Sequence, residues 1–474
     1  MVNTKCIELI TQIGHMIKSQ VETGDATIVL DFGLHVHNFL SAFVSFIGVD
    51  ERGDPLLKLL PFCFSPMFSI KTAENVRDEL IRCGSRFGLT KEQVLSLGVI
   101  SDGAANVSSM GKKYFANCMT RQEVQFKKEV LTGSLCSCHA LQKMSERILS
   151  PKVSNLYHYS TDELDYLELS NRILSKCAKL ALMVHKHKRD IRISKLPTLH
   201  IETRWQSSVR CAKDILKLLP TLKTCHIPKI STFAEDIDLE KDRLETTIEA
   251  LDRFDPLVSF FEESTTNIQY YLPLVNEINF QFSQSEMETD DPATRALNKS
   301  GRIVTAEYLD KNISEIHIKS TFLTPKLKKM SRISSSYQKT AIDLLKTELA
   351  SQQVITPQNN DDKKVISSKN TKQFNYLFDD LDDIGSCDEV ESYLREKVVQ
   401  NTPECPVQYW FSKKDEYPKL AKIALGVFSA LSSESICERS FSAVKRIVRD
   451  DRTRLDPELI ENLMIAYFYA HQFQ

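Results

Sequence analysis

Two aspartates close short apolar runs: Asp31 follows TIVL and Asp102 follows GVIS. A carboxylate at the C-terminal end of a strand escapes the packed layer, and strand ends in α/β sheets are where sites form. Taken singly, each is also readable as an ordinary strand-terminating acid. A third acid, Glu438, stands in LSSESICERSFS. Cys437, Phe441, Val444 and Val448 recur there at helical spacing and make a narrow apolar stripe. Glu438 is about 100° round from that stripe, which suits either a solvated surface acid or a carboxylate held in place to bind something. Glu434, a turn earlier, reads as the solvated one, and Ser432 or Ser433 can cap the helix. Cys136 and His139 offer half a zinc set. No second Cys or His pair lies near them in the sequence, so no zinc is expected. Trp205 follows Arg204 and is one of only two tryptophans, so it is a candidate for more than core packing at a helix start.

Elements that alternate between strand and helix must position these residues. Residues 27–30 form a short β-branched run, 38–48 a longer apolar strand and 56–62 a third, with the turn DERGDP between the last two. That short turn makes the second and third strands an antiparallel hairpin. A helix over 72–87 carries Val76, Leu80 and Cys83 on one face; a strand over 94–101 ends at Asp102; a small-residue turn and a helix reach 115; a last strand covers 130–136. The order β-β-β-α-β-α-β points to a mixed sheet with helices on both faces and right-handed crossovers. From about 155 to 350 the pattern is helical, with helices over 167–184, 205–219, 239–263, 308–318 and 331–349 and a polar, acidic connection over 283–299. Residues 351–372 read as a low-complexity linker, and 457–473 as an apolar terminal helix.

The totals bound what this architecture serves. The 474 residues exceed one compact core, and 42% hydrophobic with 26% charged residues fits a globular chain. There is no apolar run of about 18 residues and no signal-peptide core, so neither a membrane partner nor secretion is expected. The twelve cysteines are scattered and read as reduced, buried thiols. A net charge of −2 excludes a chain that is basic throughout, though HKHKR at 185–189, KLKK at 326–329 and the stretch 439–454 are locally basic.

Several short motifs carry a resemblance. Tyr417-Pro418, then SICERSFS over 435–442, then Arg452-Thr453-Arg454-Leu455 are similar to the dimerisation region of the hAT family of DNA transposases. Upstream, SDGAAN over 101–106 resembles that family's Asp-x-x-x-Asn turn, CSCH over 136–139 its Cys-x-x-His, and TRWQS over 203–207 its Thr-Arg-Trp-x-Ser. The matches keep the family's order over roughly 25–474.

The resemblance implies an α/β fold: an RNase H-like mixed five-stranded sheet with helices on both faces, interrupted by a large all-α insertion domain. The division it implies is an N-terminal helix over 1–25, the first part of the core over 26–205, the helical insertion over 206–405, and a dimerisation region over 406–474 that includes the last core helix. It implies that Asp31, Asp102 and Glu438 are catalytic and hold two Mg²⁺ or Mn²⁺ ions. Hard ions of this kind take oxygen ligands and serve phosphodiester hydrolysis and strand transfer. It further implies that Trp205, beside Arg204, stacks on an unpaired or flipped base. His139 is then either a packed strand end or a group placed close to DNA. The implied partners are DNA and a second copy of the chain, in a dimer or higher oligomer, and the implied location is the nucleus. Two departures stand out. The family's Asp-x-Trp-Thr is here Asp31-Phe32-Gly33-Leu34, and its N-terminal zinc finger has no counterpart. They keep a second reading open, a catalytically inactive, host-reused protein that dimerises and associates with DNA or chromatin.

Overall fold

Alternating apolar residues over 26–67 build three strands, β1 (Ala26–Leu34), β2 (Asn38–Val49) and β3 (Pro55–Met67), in the computed structural model. It describes residues 2–23, 26–34, 38–67, 72–101, 134–191, 193–201, 206–263, 265–352, 388–398, 402–447 and 456–472. The β2–β3 turn is closed by Asp50, whose Oδ1 accepts the N–H groups of Arg52 and Asp54, both at 2.8 Å, and by Gly53 at φ 87°. β3 runs five residues past the predicted end. A register shift leaves Phe62 as the extra residue, since Ala42 pairs with Cys63 but Phe43 with Pro61. Such a bulge lets Pro61, which has no N–H, sit within a strand that continues beyond it.

Two short strands complete the sheet, β4 (Gly98–Ser101) and β5 (Ser134–Leu135), in the order β3-β2-β1-β4-β5. β1, β2 and β3 are antiparallel, while β1, β4 and β5 are parallel. The chain is therefore mixed α/β. The predicted helix to 115 and most of the predicted strand over 130–136 lie outside the described residues.

The helices that share the sheet's core come from both ends of the chain. They are α1 (Val2–Thr23), α2 (Ala73–Arg86), α3 (Lys91–Leu95), and, far downstream, α17 (Ser435–Ile447) and α18 (Pro457–Gln472). Thr72 caps α2 by accepting the Asn75 N–H at 3.2 Å, and Val76, Leu80 and Cys83 are buried on one face as their spacing requires.

The rest is helical: α4 (Ser137–Leu149), α5 (Thr161–Lys186), α6 (Gln206–Lys223), α7 (Pro228–Asp238), α8 (Lys241–Asp252), α9 (Asp255–Phe261), α10 (Tyr271–Glu288) and α11 (Pro292–Lys311) pack around a second core. α4 and α5 precede residue 206, yet they share this core rather than the sheet's. A third core joins α12 (Glu315–Phe322) and α13 (Ser335–Gln352) to α14 (Glu389–Arg395), α15 (Pro406–Ser412) and α16 (Pro418–Phe428) around the fully buried Trp410.

Four predicted elements differ from what is found, the first being the strand over 94–101, which begins in the end of α3 and is strand only over its last four residues. The polar stretch 283–299 is the end of α10 and the start of α11, not a connection. Asp291 accepts the Thr294 N–H at 2.8 Å and Pro292 opens α11, a strong helix start that outweighs the acidic composition. The single helix over 239–263 is two, with Pro256 in the first turn of the second. The helix over 308–318 is the end of α11 and the start of α12, where Ser314 caps a new helix. No helix among the described residues is long and apolar enough to cross a membrane.

Candidate functional site

Asp31 lies toward the C-terminal end of β1, opposite Ser41 of β2, and is half-buried. Its Oδ1 accepts the Phe32 N–H at 2.6 Å. On the other side of β1, β4 runs parallel and ends at Ser101. Asp102 follows directly and lies outside the described residues, as do Arg204 and Trp205. Of that last motif, Gln206 and Ser207 are described, and the Ser207 hydroxyl accepts the Ile201 N–H at 2.8 Å.

Glu438 reaches this neighbourhood on α17. Three contacts seat the helix on β1 and β2. The Cys437 thiol donates to Val29 O at 3.6 Å, Ser440 Oγ meets Ser41 Oγ at 2.7 Å, and the Phe441 ring fills the space above Gly33. A Cβ at Gly33 would stand 2.6 Å from that ring, so glycine is what permits the close approach. Cys437, Phe441 and Val444 thus form the buried stripe that their spacing predicts, and Val448 lies outside the described residues. Glu438 is half-buried, next to Cys437. Burial pushes the Cys437 thiol well up, and the charges of Asp31 and Glu434 push it the same way, which places both acids around this thiol. The structure therefore brings the elements carrying Asp31 and Glu438 into direct contact.

The serines before α17 do more than cap it. Ser433 Oγ accepts the Ser435 N–H at 3.4 Å, while the Ser432 and Ser433 hydroxyls both donate to Phe261 O at the end of α9. Arg439 donates to Glu262 O at 3.3 Å. Backbone bonds fix the segment from the other side: Ser137 N donates to Ser432 O at 2.8 Å, and Cys136 N to Ser101 O at 2.8 Å. The first turn of α4 is thereby tied to the end of β4 and to the approach to α17.

Glu434 corrects the sequence reading. It is not a solvated acid but 1% exposed, with Oε1 2.5 Å from His139 Nδ1. Its backbone carbonyl also starts α17 by accepting the Cys437 N–H at 2.8 Å. Burial alone would lower the His139 pKa, but hydrogen bonds to Cys136 and Glu434 and the Glu434 charge raise it, to about 11. Burial, Cys138 and the Glu434 charge push the Cys136 thiol well up, so it stays neutral. Cys136, His139 and Glu434 place a sulfur, a nitrogen and an oxygen within 4.8 Å of one another. Sequence reasoning passed over Glu434 because its partner is on another element; the signal present was a second acid one turn before Glu438.

Comparison with known proteins bears on both ends of this arrangement. Residues 389–469 match the hAT family C-terminal dimerisation region. At this end the chain is similar to hAT-family proteins. Residues 12–102 match a domain of unknown function, DUF8247, which spans β1 to β4 and includes Asp31. Over 486 aligned residues the chain is 24% identical to the uncharacterized protein ZK1098.2 of Caenorhabditis elegans, covering 99% of this chain and 73% of the relative. The chain is thus transposase-related through the region that contains α14 to α18, and the similarity assigns self-association to that region.

Proposed function

We propose that this chain is an RNase H-like, hAT-type transposase or a protein derived from one, which hydrolyses DNA phosphodiesters and transfers strands through Asp31, Asp102 and Glu438. The observation that carries the reading is the seat of α17 on β1, with Ser440 on Ser41 and Phe441 on Gly33. It sets Glu438 beside the strand of Asp31, although 407 positions separate the two in sequence. A second support is register. Each paired β1 residue meets the β4 residue 71 positions on (Thr27 with Gly98, Val29 with Ile100), and Asp31 and Asp102 are also 71 apart.

The donor chemistry fits a hard divalent ion. Three carboxylates supply oxygen ligands, and a half-buried Asp31 keeps one face toward solvent. Mg²⁺ or Mn²⁺ held there would supply activation of water or a 3′-hydroxyl and neutralisation of the leaving oxygen. The chain's own part is positional. The thiol–carbonyl and Ser–Ser contacts of α17 fix the Glu438 backbone, and the pairing with Ser41 of β2 fixes that of Asp31. Arg204 and Trp205 hold an unpaired base, His139 lies along the DNA, residues 406–474 pair two copies, and the site of action is the nucleus.

The test is DNA cleavage by the purified full chain with Mn²⁺. Wild type is expected to nick or cut, and Asp31→Asn, Asp102→Asn and Glu438→Gln to lose the activity together. Wild-type cleavage no greater than that of Asp102→Asn would remove catalysis and leave the reading of a dimerising DNA- or chromatin-associated protein.

A further inference from the structure

Glu434 is a buried acid beside the proposed carboxylate set but outside it. We propose that it is a positioning residue. From the segment leading into α17 it grips the His139 imidazole by Nδ1, so that Nε2 becomes a charged N–H donor to a DNA phosphate at the edge of the site. This rests on the DNA-processing reading above and adds to it a named partner for a named nitrogen.

The geometry decides between two uses of the cluster. A sulfur, a nitrogen and an oxygen within 4.8 Å could hold a soft metal ion. One zinc bonded to nitrogen and oxygen at about 2.0–2.2 Å in tetrahedral geometry keeps those two atoms more than about 3.2 Å apart. The Nδ1–Oε1 distance is 2.5 Å, an ion-pair contact closer than two ligands of one such ion can stand. The pair is therefore an imidazolium and a carboxylate in direct contact.

Its surroundings give the ring a direction. Nδ1 is buried, yet a quarter of the His139 side chain is exposed, so the accessible edge is the one away from Nδ1. His139 lies in the first turn of α4, where the helix dipole opposes a cation and favours an anion. The Glu434 carboxylate is what offsets that field. The other titratable groups around the ring and its neighbours are Cys136, Cys138 and Cys437, whose thiols add no positive charge, and Asp31, which acts on Cys437. Tyr271, fully buried nearby, has its pKa pushed up by burial and stays neutral. Cys136 N is bonded to Ser101 O, which ties the start of α4 to the residue that precedes the proposed ligand Asp102. Cations beside a metal-carboxylate cluster fit a polyanion that arrives with its phosphates.

Two measurements on the full chain test this. In histidine-labelled protein followed by NMR, with His139→Gln for assignment, the His139 ring stays protonated past pH 8. In Glu434→Gln it titrates near the ordinary imidazole range, and Glu434→Asp restores part of the shift. In fluorescence anisotropy with a short duplex, without divalent ions, His139→Gln and Glu434→Gln each weaken binding by about tenfold. Each also makes the salt slope shallower by about 0.9, and the double variant is no weaker than either single one. Matched circular dichroism spectra show that the variants fold.

A His139 ring that titrates normally in wild type, additive losses in the double variant, or one equivalent of zinc that disappears in His139→Gln would each overturn the proposal. A wild type that binds no duplex at all overturns the DNA reading of the site instead. A wild type that binds, with His139→Gln unchanged, overturns only the phosphate contact.

Discussion

Two carboxylates from the last tenth of the chain are buried against elements from its first third, and they are met in different ways. Glu461 of α18 is 3% exposed and lies between two guanidinium groups of α2, with Arg82 Nη2 at 3.1 Å and Arg86 in closer contact. The Cys83 thiol donates to it at 3.2 Å, itself 2.8 Å from Cys63 of β3. Glu434 is met by one imidazole. Arginine keeps its charge at any pH the fold survives, whereas histidine keeps its charge only while its proton is held. The junction on the β3 side is thus a fixed clamp, and the one beside the candidate site is conditional on a proton. Both show that the region named for dimerisation is no appendage. Its Trp410, Phe428, Met464 and Ile465 are buried within their own chain, and Val398 is its one large apolar side chain strongly exposed among the described residues.

The sharpest way to break the comparison is Glu461→Ala. It strands two arginines and one thiol around a cavity, and a loss of about 2–4 kcal/mol is expected after discounting the half-exposed Arg82. Urea melts should give the same loss at pH 6 and pH 9, because the partners do not titrate between them.

Glu434→Gln should cost less, about 1–3 kcal/mol at pH 6, and its cost should depend on pH. His139 has a folded pKa raised above its unfolded value of about 6.5. The pair's contribution is therefore complete below about pH 6.5, declines as pH rises, and is gone above the folded value. Melts at pH 6 and pH 9 should bring wild type and variant closer together at the higher pH. A gap that widens with pH would show that His139 is neutral in the fold.

Gly33→Ala tests the seat that both junctions flank. The added methyl meets the Phe441 ring and should destabilise by about 1–2 kcal/mol, with Phe441→Leu recovering part of it. Ser440→Ala is the mildest, about 0.5–1.5 kcal/mol, and should show coupling to Ser41→Ala in a double-mutant cycle.

What the sequence disclosed follows from what is local. The β2–β3 hairpin, the α2 face and the α17 stripe are written in periodicities that a few neighbouring residues carry. The helix starts at Asp291-Pro292 and Pro256 were also local, but the acidic composition of 283–299 and the apolar continuity of 239–263 masked them. Glu434 was not legible at all. Nothing within ten residues of it explains its burial, because the group that accepts it is on α4 and reaches it only through the packing of α4 and α17. Asp31 stood out by its strand end, while the contact that makes it interesting, Ser41 with Ser440, joins residues 399 apart.

That separation has a consequence for how the chain is made. α1 packs on α18, and Thr27 meets Ser429 across 402 residues. At about 5–20 residues per second, the strands emerge from the ribosome some 20–80 seconds before the helices that cover them. Until then the apolar face that will take Phe441 and Phe468 is bare, and a contact order this high slows the final closure further. The two buried ion pairs, which join these distant segments, are accordingly among the last bonds to form.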